Sequence, residues 1–324
     1  MFQIRTDLAV ETRELYKENK KQEIPGVEVE KSEENNIEIT RVKVVDDRGS
    51  QLMGKPKGSY ITVEARGLKS ADADLKDDVS KVMAKELVKL IPRKKNFSTL
   101  VVGLGNWDVT PDALGPEVIS KILVTRHLFK MYKKTEDPTM VSVSAITPGV
   151  MGTTGIETKD IIKGIVEKSK PDLVIAIDAL ASRKMERVST TIQISTTGIS
   201  PGSGIGNLRK QLNEETLGVP VIAIGVPTVV DAATMANDTI SMVVEALKSH
   251  SEKGSGFFKL LEAMKDDEKY SLIKEVLEPY GANVIVTTKE IDKIITDISQ
   301  IIANGINIAL HPGIDLKDVN RYLH

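Results

Sequence analysis

The pattern of apolar and polar positions along the chain changes near residue 99. Before that point, residues 36–45 and 59–67 alternate between apolar and polar side chains, which predicts two half-buried strands. The glycine-rich stretch 49–58 lies between them and predicts the connecting turn. The N-terminal third therefore predicts an antiparallel hairpin over 36–67.

Two further segments precede the change of period. Residues 12–36 are charged and lack apolar periodicity, which predicts an extended or partly helical arm on the surface. Residues 72–91 carry apolar side chains at helical spacing, and Pro92 follows them. We expect a helix there that ends at the proline.

From residue 99 onward, strand-like apolar runs alternate with helical patterns. The predicted strands are 99–104, 140–146, 172–180 and 219–226, and the predicted helices are 112–132, 158–169 and 231–248. This alternation predicts an α/β fold with an open, mainly parallel sheet and helices on both faces. Residues 187–207 predict a β-rich segment that ends in a glycine loop. Residues 257–324 predict a C-terminal helical extension, with helices at about 257–278 and 289–310 and a short strand at 283–288. We expect a single domain over 8–324.

Composition narrows the classes of partner and site. The formal net charge is −2, with 44 basic and 46 acidic residues. The chain therefore lacks the excess of positive charge that is typical of proteins binding nucleic acid or an anionic membrane. The chain has no cysteine, which excludes disulfides, thiolate metal sites and a cysteine nucleophile. No apolar run approaches the ~18 residues of a membrane span, and the N-terminus lacks a signal-peptide pattern. We expect a cytoplasmic protein.

Two aspartates follow predicted strands of the parallel sheet. Asp112 comes after the strand at 99–104, and Asp178 ends the strand at 172–180. Sites in open α/β sheets form at the carboxyl ends of the strands, so both side chains are expected to face one crevice. Of two paired carboxyl groups, one can hold a proton and act as general acid while the other activates water. A helix cap or loop hydrogen bond is the structural alternative for each aspartate.

Glycine loops stand near the same strand ends. The loop after residue 102 begins like a dinucleotide fingerprint, but Asp108 occupies the place of the third glycine, and no Walker sequence occurs. We therefore expect the loops to bind substrate backbone rather than phosphate, although turns requiring positive φ would also use glycine. The predicted substrate-binding residues are Gly103, Gly105, Asn106, Gly149, Gly152, Gly202, Gly204 and Gly206.

Seven segments in order resemble the germination proteases, endopeptidases that degrade small acid-soluble spore proteins when a bacterial spore germinates. These segments are 4–12, 101–116, 123–130, 147–158, 170–183, 190–207 and 217–232. The likeness runs from about residue 4 to 304–311, which is nearly the whole chain. The resemblance implies a protein substrate, a homotetramer and a location in the developing spore compartment.

The resemblance also implies a mechanism. Germination proteases are assigned to the aspartic peptidases, with a fold similar to the hydrogenase-maturation peptidases. Those enzymes carry a Gly-x-Gly-Asn turn followed by an acid, and a second acid at the end of a later strand. Gly103, Gly105 and Asn106 match the turn, and Asp112 and Asp178 match the acids. The maturation peptidases recognise nickel through a histidine; no histidine lies in a comparable loop here, so we expect no metal and no cofactor.

The N-terminus resembles a substrate of the family. Those substrates are cut after an acid and before a large apolar residue, in a frame like Thr-Glu-Ile/Phe-Ala-Ser-Glu, and residues 6–11 read Thr-Asp-Leu-Ala-Val-Glu. The resemblance predicts a zymogen that cuts its own Asp7–Leu8 bond and releases residues 1–7 as a propeptide. We expect acidification to promote the cut by loosening ionic contacts near Arg5 and letting the two catalytic acids share a proton. The alternative is that Thr6 or Asp7 caps a helix that starts near Leu8.

Two other functions fit the same residues. In the first, Asp112 and Asp178 are ligands of a metal-dependent peptidase or amidohydrolase. In the second, the glycine loops belong to a noncatalytic module that binds peptides or nucleotides. Cleavage of a spore protein with and without a chelator distinguishes all three functions.

Overall fold

The computed structural model describes residues 6–70, 72–92, 94, 96–132, 139–200, 210–250, 255–256, 271–273, 275–276, 279 and 284–322. Within these residues one sheet of nine strands organises the chain. Its strands are β1 (Val27–Glu34), β2 (Ile37–Val44), β3 (Gly58–Glu64), β4 (Ser98–Gly103), β5 (Ser142–Ile146), β6 (Leu173–Ser182), β7 (Thr191–Ser195), β8 (Val221–Asp231) and β9 (Ile285–Val286). Their order is β1-β2-β3-β7-β8-β6-β4-β5, and β9 pairs with β8.

The sheet has a parallel part and an antiparallel part. Strands β8, β6, β4 and β5 are parallel to one another. Strands β1, β2, β3 and β7 are joined by antiparallel pairing, and β7 is antiparallel to β8. The predicted open α/β sheet is confirmed, and so is the antiparallel pairing of β2 with β3 in the predicted hairpin.

Helices cover both faces of this sheet. They are α1 (Ala9–Lys20), α2 (Asp47–Met53), α3 (Ala73–Leu90), α4 (Leu114–Ile119), α5 (Arg126–Tyr132), α6 (Met151–Thr154), α7 (Thr158–Ser169), α8 (Glu214–Leu217), α9 (Ala232–His250), α10 (Ile291–Leu310) and α11 (Leu316–Tyr322). On one face α3, α4 and α10 pack through Met83, Leu114 and Ile302 against the sheet. On the other face Leu8 and Ile162 belong to a second apolar core.

The predicted helix over 112–132 is wrong. The chain instead forms a 3-10 turn, Thr110–Asp112, then α4, an irregular stretch and α5. In that stretch the Leu123 N–H donates to Asn307 Oδ1 at 2.9 Å, and Thr125 N–H donates to Val143 O at 3.0 Å. These tertiary contacts satisfy backbone groups that a continuous helix would have bonded within itself.

The N-terminal region holds more regular structure than the sequence predicts. The arm predicted over 12–36 contains most of α1 and the edge strand β1. The turn predicted over 49–58 contains most of α2, which Asp46 caps by accepting the Gly49 N–H at 2.7 Å. Most of the predicted helix at 257–278 lies outside the described residues.

Candidate active site

The first glycine turn leaves the sheet beside Asp178. Gly103 is the last residue of β4 and pairs with Ile177 of β6, and the next N–H, that of Leu104, still donates to Ile177 O at 2.8 Å. The chain then turns away at Gly105, whose φ of +116° disfavours any residue with a side chain. The turn therefore begins next to the strand position that Asp178 occupies.

The loop that starts at Gly105 closes on itself at Asp112. The Asn106 N–H donates to Asp112 O at 3.1 Å, and the Asp112 N–H donates to Val109 O at 2.7 Å. A Cβ on Gly105 would lie 1.9 Å from Asp112 O and 3.4 Å from the carboxyl carbon. Only a glycine at 105 lets the loop close this tightly, and the closure seats Asp112 against the turn.

Asp178 is a buried carboxylate within β6, with 3% of its surface exposed. Its Oδ1 accepts the N–H of Ala179 at 2.9 Å. The 3-10 turn that carries Asp112 contacts both β6 and β8. The structure thus brings both predicted acids to one end of the parallel sheet. Asp178 does not end its strand as predicted, because β6 continues for four residues beyond it, to Ser182.

The remaining predicted site residues fall in two places. Gly149 lies half-buried in the loop that follows β5, and Gly152 is exposed in the short helix α6 next to it, at the same end of the sheet and one strand further out than β4. Gly202, Gly204 and Gly206 lie outside the described residues.

The segment around the predicted cleavage bond lies against the end of β6. The Asp7 N–H donates to Ala181 O at 3.0 Å, and Asp7 Oδ2 accepts the Ala181 N–H at 2.9 Å. Leu8 is fully buried, in the apolar core that also contains Leu180 and Ile199. Asp7 therefore sits three residues along β6 from Asp178, roughly 10 Å of extended strand.

Glu11 fixes the next part of this segment. It is 1% exposed, and its carboxylate accepts the N–H groups of Arg183 at 2.7 Å and Lys184 at 3.1 Å. The Thr6 hydroxyl also donates to Glu11, and Arg187 lies 3.5 Å away. These hydrogen bonds offset the desolvation cost of burying the carboxylate, so Glu11 anchors α1 to the end of β6.

Two residues that the sequence did not single out reach the Asp7–Leu8 bond. Lys55 Nζ donates to Asp7 O at 2.9 Å, and Gln193 Nε2 donates to the same oxygen at 3.2 Å. Lys55 lies in the linker after α2 and Gln193 on β7, so neither is near residue 7 in the sequence. No sequence pattern marks them, because their meeting depends on the pairing of β3 with β7.

A cavity of about 200 Å³ lies beside this bond. Its lining includes Asp7, Lys55, Leu180, Gln193 and Gly225. Within the described part of the chain, no group of three or more histidine or acidic residues could hold a metal ion.

A family model for germination protease matches residues 5–259 and 248–323. The chain belongs to the germination protease family. A germination protease from Caldanaerobacter subterraneus subsp. tengcongensis is 58% identical over 99% of this chain and 98% of its own length. Germination proteases of Clostridium perfringens and Bacillus mycoides are 52% and 46% identical, each over 100% of this chain and 100% and 98% of their own lengths.

Membership of the germination protease family makes the chain an endopeptidase that acts on protein and serves spore germination. Among solved structures, a [NiFe] hydrogenase maturation protease, HycI from Thermococcus kodakarensis, is 17% identical with a TM-score of 0.29, over 60% of this chain and 99% of that one. No helix in the described ranges is long and apolar enough to cross a membrane.

Proposed function

We propose that Asp112 and Asp178 are the catalytic pair of this endopeptidase and that water is the nucleophile. The observation that carries the proposal is the convergence of the Gly105–Asp112 loop on the β6 position next to Ile177. Asp178 is buried and Asp112 is half-buried, so two carboxyl groups at one end of the sheet have different surroundings. Such a pair can hold one proton between general acid and general base.

In the proposed reaction, one aspartate removes a proton from water as the water oxygen attacks the peptide carbonyl carbon. The other aspartate gives its proton to the leaving nitrogen, and the C–N bond breaks to an acid and an amine. The glycine loops, with Gly103, Gly105 and Asn106 at the turn and Gly149 and Gly152 after β5, hold the backbone of the substrate. Gly202, Gly204 and Gly206 are proposed for the same role.

The proposed substrates are small acid-soluble spore proteins, and the proposed compartment is the developing spore. The relatives named above are germination proteases by description, which supports this substrate class without specifying it. We also propose a homotetramer. Helix α9 exposes Met242, Val243 and Leu247, which supports a contact between subunits because an exposed apolar face favours association.

The chain is also proposed to be a zymogen that cuts its own Asp7–Leu8 bond and releases residues 1–7. The contacts of Asp7 with Ala181 place the bond at the same end of β6 as Asp178, which supports self-processing. Arg5, near which acid is expected to loosen ionic contacts, lies outside the described residues. N-terminal sequencing after incubation at mildly acid pH should find Leu8 first; a chain intact from Met1 that degrades spore protein at full rate would contradict this.

The experiment for the activity itself uses purified protein and a small acid-soluble spore protein, with and without EDTA. We expect cleavage after acidic residues, identified by mass spectrometry of the products, at the same rate in both samples. Loss of cleavage with EDTA and its return with a divalent metal would support a metallopeptidase instead. Binding of the spore protein without cleavage would support a noncatalytic module.

A further inference from the structure

The carbonyl oxygen of Asp7 receives two side-chain donors from distant parts of the chain. Lys55 Nζ lies 2.9 Å from it and Gln193 Nε2 lies 3.2 Å from it. This oxygen belongs to the peptide bond that the proposed self-cleavage would break. Convergence of a cation and an amide on that atom is the arrangement that stabilises an oxyanion in acyl-transfer enzymes.

Gln193 holds the peptide on both sides of Leu8. Its Nε2 donates to Asp7 O, and its Oε1 accepts the N–H of Ala9 at 2.7 Å. This pairing uses one donor and one acceptor of the amide, so its orientation is fixed by the backbone it meets. The Leu8 backbone is thereby clamped on either side of its buried side chain.

Gln193 also stands in line with Asp178 across the sheet. Gln193 pairs with Gly225 of β8, and Gly225 pairs with Asp178 of β6. Paired residues in a sheet direct their side chains to the same face, and strands lie about 4.8 Å apart, so roughly 10 Å of backbone separates the two positions. Gly225 contributes no side chain between them, and its Cβ position is already approached by Leu180 at 2.4 Å.

Lys55 lies in a short linker whose backbone is hydrogen-bonded to its surroundings. Gly54 ends α2 in the left-handed conformation, and the Ser50 hydroxyl donates to Lys55 O at 2.8 Å. The next carbonyl, of Pro56, accepts the Tyr60 hydroxyl at 2.8 Å. Because the backbone at Lys55 is fixed by these contacts, less conformational freedom remains to be lost when its side chain binds an oxyanion.

The charged groups facing Lys55 come from the N-terminal segment. Burial lowers the pKa of Lys55, and the carboxylates of Asp7 and Glu11 act in the opposite direction. Lys55 therefore loses its proton at a lower pH than an exposed lysine does.

We propose that Lys55 and Gln193 form the oxyanion-stabilising pair for hydrolysis of the Asp7–Leu8 bond. Water adds to the Asp7 carbonyl carbon, and the carbonyl electron pair moves to the oxygen held by Lys55 Nζ and Gln193 Nε2. The attacking water gives one proton to the proposed acid pair. When the C=O bond re-forms, the C–N bond breaks, the Leu8 nitrogen takes a proton from that pair, and Asp7 keeps a new carboxyl group. This role rests on the proposed self-cleavage by Asp112 and Asp178.

The test follows appearance of the Leu8 N-terminus over time in purified full-length chains. Removal of one oxyanion donor costs about 100-fold or more in rate, so Lys55→Met and Gln193→Leu are expected to cut at least 100-fold more slowly than wild type. Lys57→Met is the matched control, because Lys57 is an exposed lysine two residues away that pairs with Asp47. It should cut at the wild-type rate.

Rescue and pH dependence distinguish this role from simple anchoring. Lys55→Arg keeps its positive charge at alkaline pH, so it should restore much of the cleavage rate. It should also remove the fall in rate at high pH that is expected of wild type as Lys55 loses its proton. Thermal unfolding of every variant provides the folding control. If wild type is cut at Asp7–Leu8 and folded Lys55→Met is cut as fast, the oxyanion role is wrong while self-cleavage stands.

Asp178→Asn is tested in the same assay, because it disrupts the proposed acid pair but keeps the hydrogen-bond donors Lys55 and Gln193. We expect it to remain uncut. A wild-type chain that is never cut at this bond would overturn the self-cleavage proposal and the role of Lys55 and Gln193 together. A Lys55→Arg chain as slow as Lys55→Met would also contradict the oxyanion role.

Discussion

At the scale of single residues, the active end of the sheet depends on a glycine that no other residue can replace. Gly105 combines a φ of +116° with a Cβ position 1.9 Å from Asp112 O. The glycine turn and both aspartates could be proposed from the sequence, because a glycine turn after a buried strand and an aspartate inside an apolar run are local patterns. It did not identify Lys55 or Gln193, whose position at the Asp7 carbonyl arises from long-range strand pairing.

Gly105→Ala is therefore expected to destabilise the protein by about 2 kcal/mol or more and to remove nearly all peptidase activity. The added methyl group would force the loop away from Asp112. Gly164→Ala in α7 is the control, because Gly164 is exposed and a Cβ there meets nothing within 4 Å. It should gain roughly 0.5–1 kcal/mol from the better helix propensity of alanine. Urea denaturation of both variants checks this, and equal stability for the two would refute the close-approach argument.

At the scale of elements, α1 is held to the sheet by carboxylates that bind basic residues following β6. Glu14 accepts two hydrogen bonds from Arg187, at 2.9 and 2.6 Å, and one from Lys184 at 3.0 Å. Burial raises the pKa of Glu14, but these hydrogen bonds outweigh it and bring the pKa to about 2 from 4.5. Glu14 thus stays charged at mildly acid pH, and α1 stays anchored while the proposed processing takes place.

The pH dependence of stability follows from this pKa. Because the folded-state pKa is below the unfolded value of 4.5, Glu14 stabilises the fold fully above about pH 4.5, and its contribution is lost as the pH falls towards 2. Glu14→Gln should lower the unfolding free energy by on the order of 2 kcal/mol at pH 6, and the difference from wild type should vanish near pH 2. Urea denaturation across this range measures it.

Glu18→Gln is the control for that series, since Glu18 is mostly exposed and lies 3.4 Å from Arg183. An exposed pair contributes about 0–1 kcal/mol, so its effect should be small at every pH. A Glu14→Gln difference that stays constant down to pH 2 would contradict the assignment of the low pKa.

The break of the predicted helix over 112–132 shows where sequence reasoning reaches its limit at this scale. Apolar spacing in that segment suits a helix, yet Asn307 of α10 bonds Leu123 N–H and the Lys121 carbonyl, and Thr125 bonds β5. These partners lie far away in the chain. Local periodicity cannot report them.

At the scale of the whole molecule, one continuous sheet joins the two functions we propose. Strand β6 and the 3-10 turn after β4 carry the proposed acid pair, while β7 and the linker between β2 and β3 supply the donors that hold the Asp7–Leu8 bond. The sequence predicted the N-terminal hairpin as an addition to the α/β sheet. Pairing of β3 with β7 and of β7 with β8 instead makes it part of that sheet.

Peptide hydrolysis by Asp112 and Asp178 is the step on which the proposed function depends. The most direct measurement is the rate of spore-protein cleavage by Asp112→Asn, Asp178→Asn and the control Asp231→Asn. Asp231 also ends a parallel strand, but its carboxylate caps α9 by accepting the Thr234 N–H at 2.8 Å. We predict a loss of about 100-fold or more for each of the first two variants, with folding retained, and near wild-type activity for the third. Cleavage by folded Asp112→Asn or Asp178→Asn at more than about a tenth of the wild-type rate would contradict the claim.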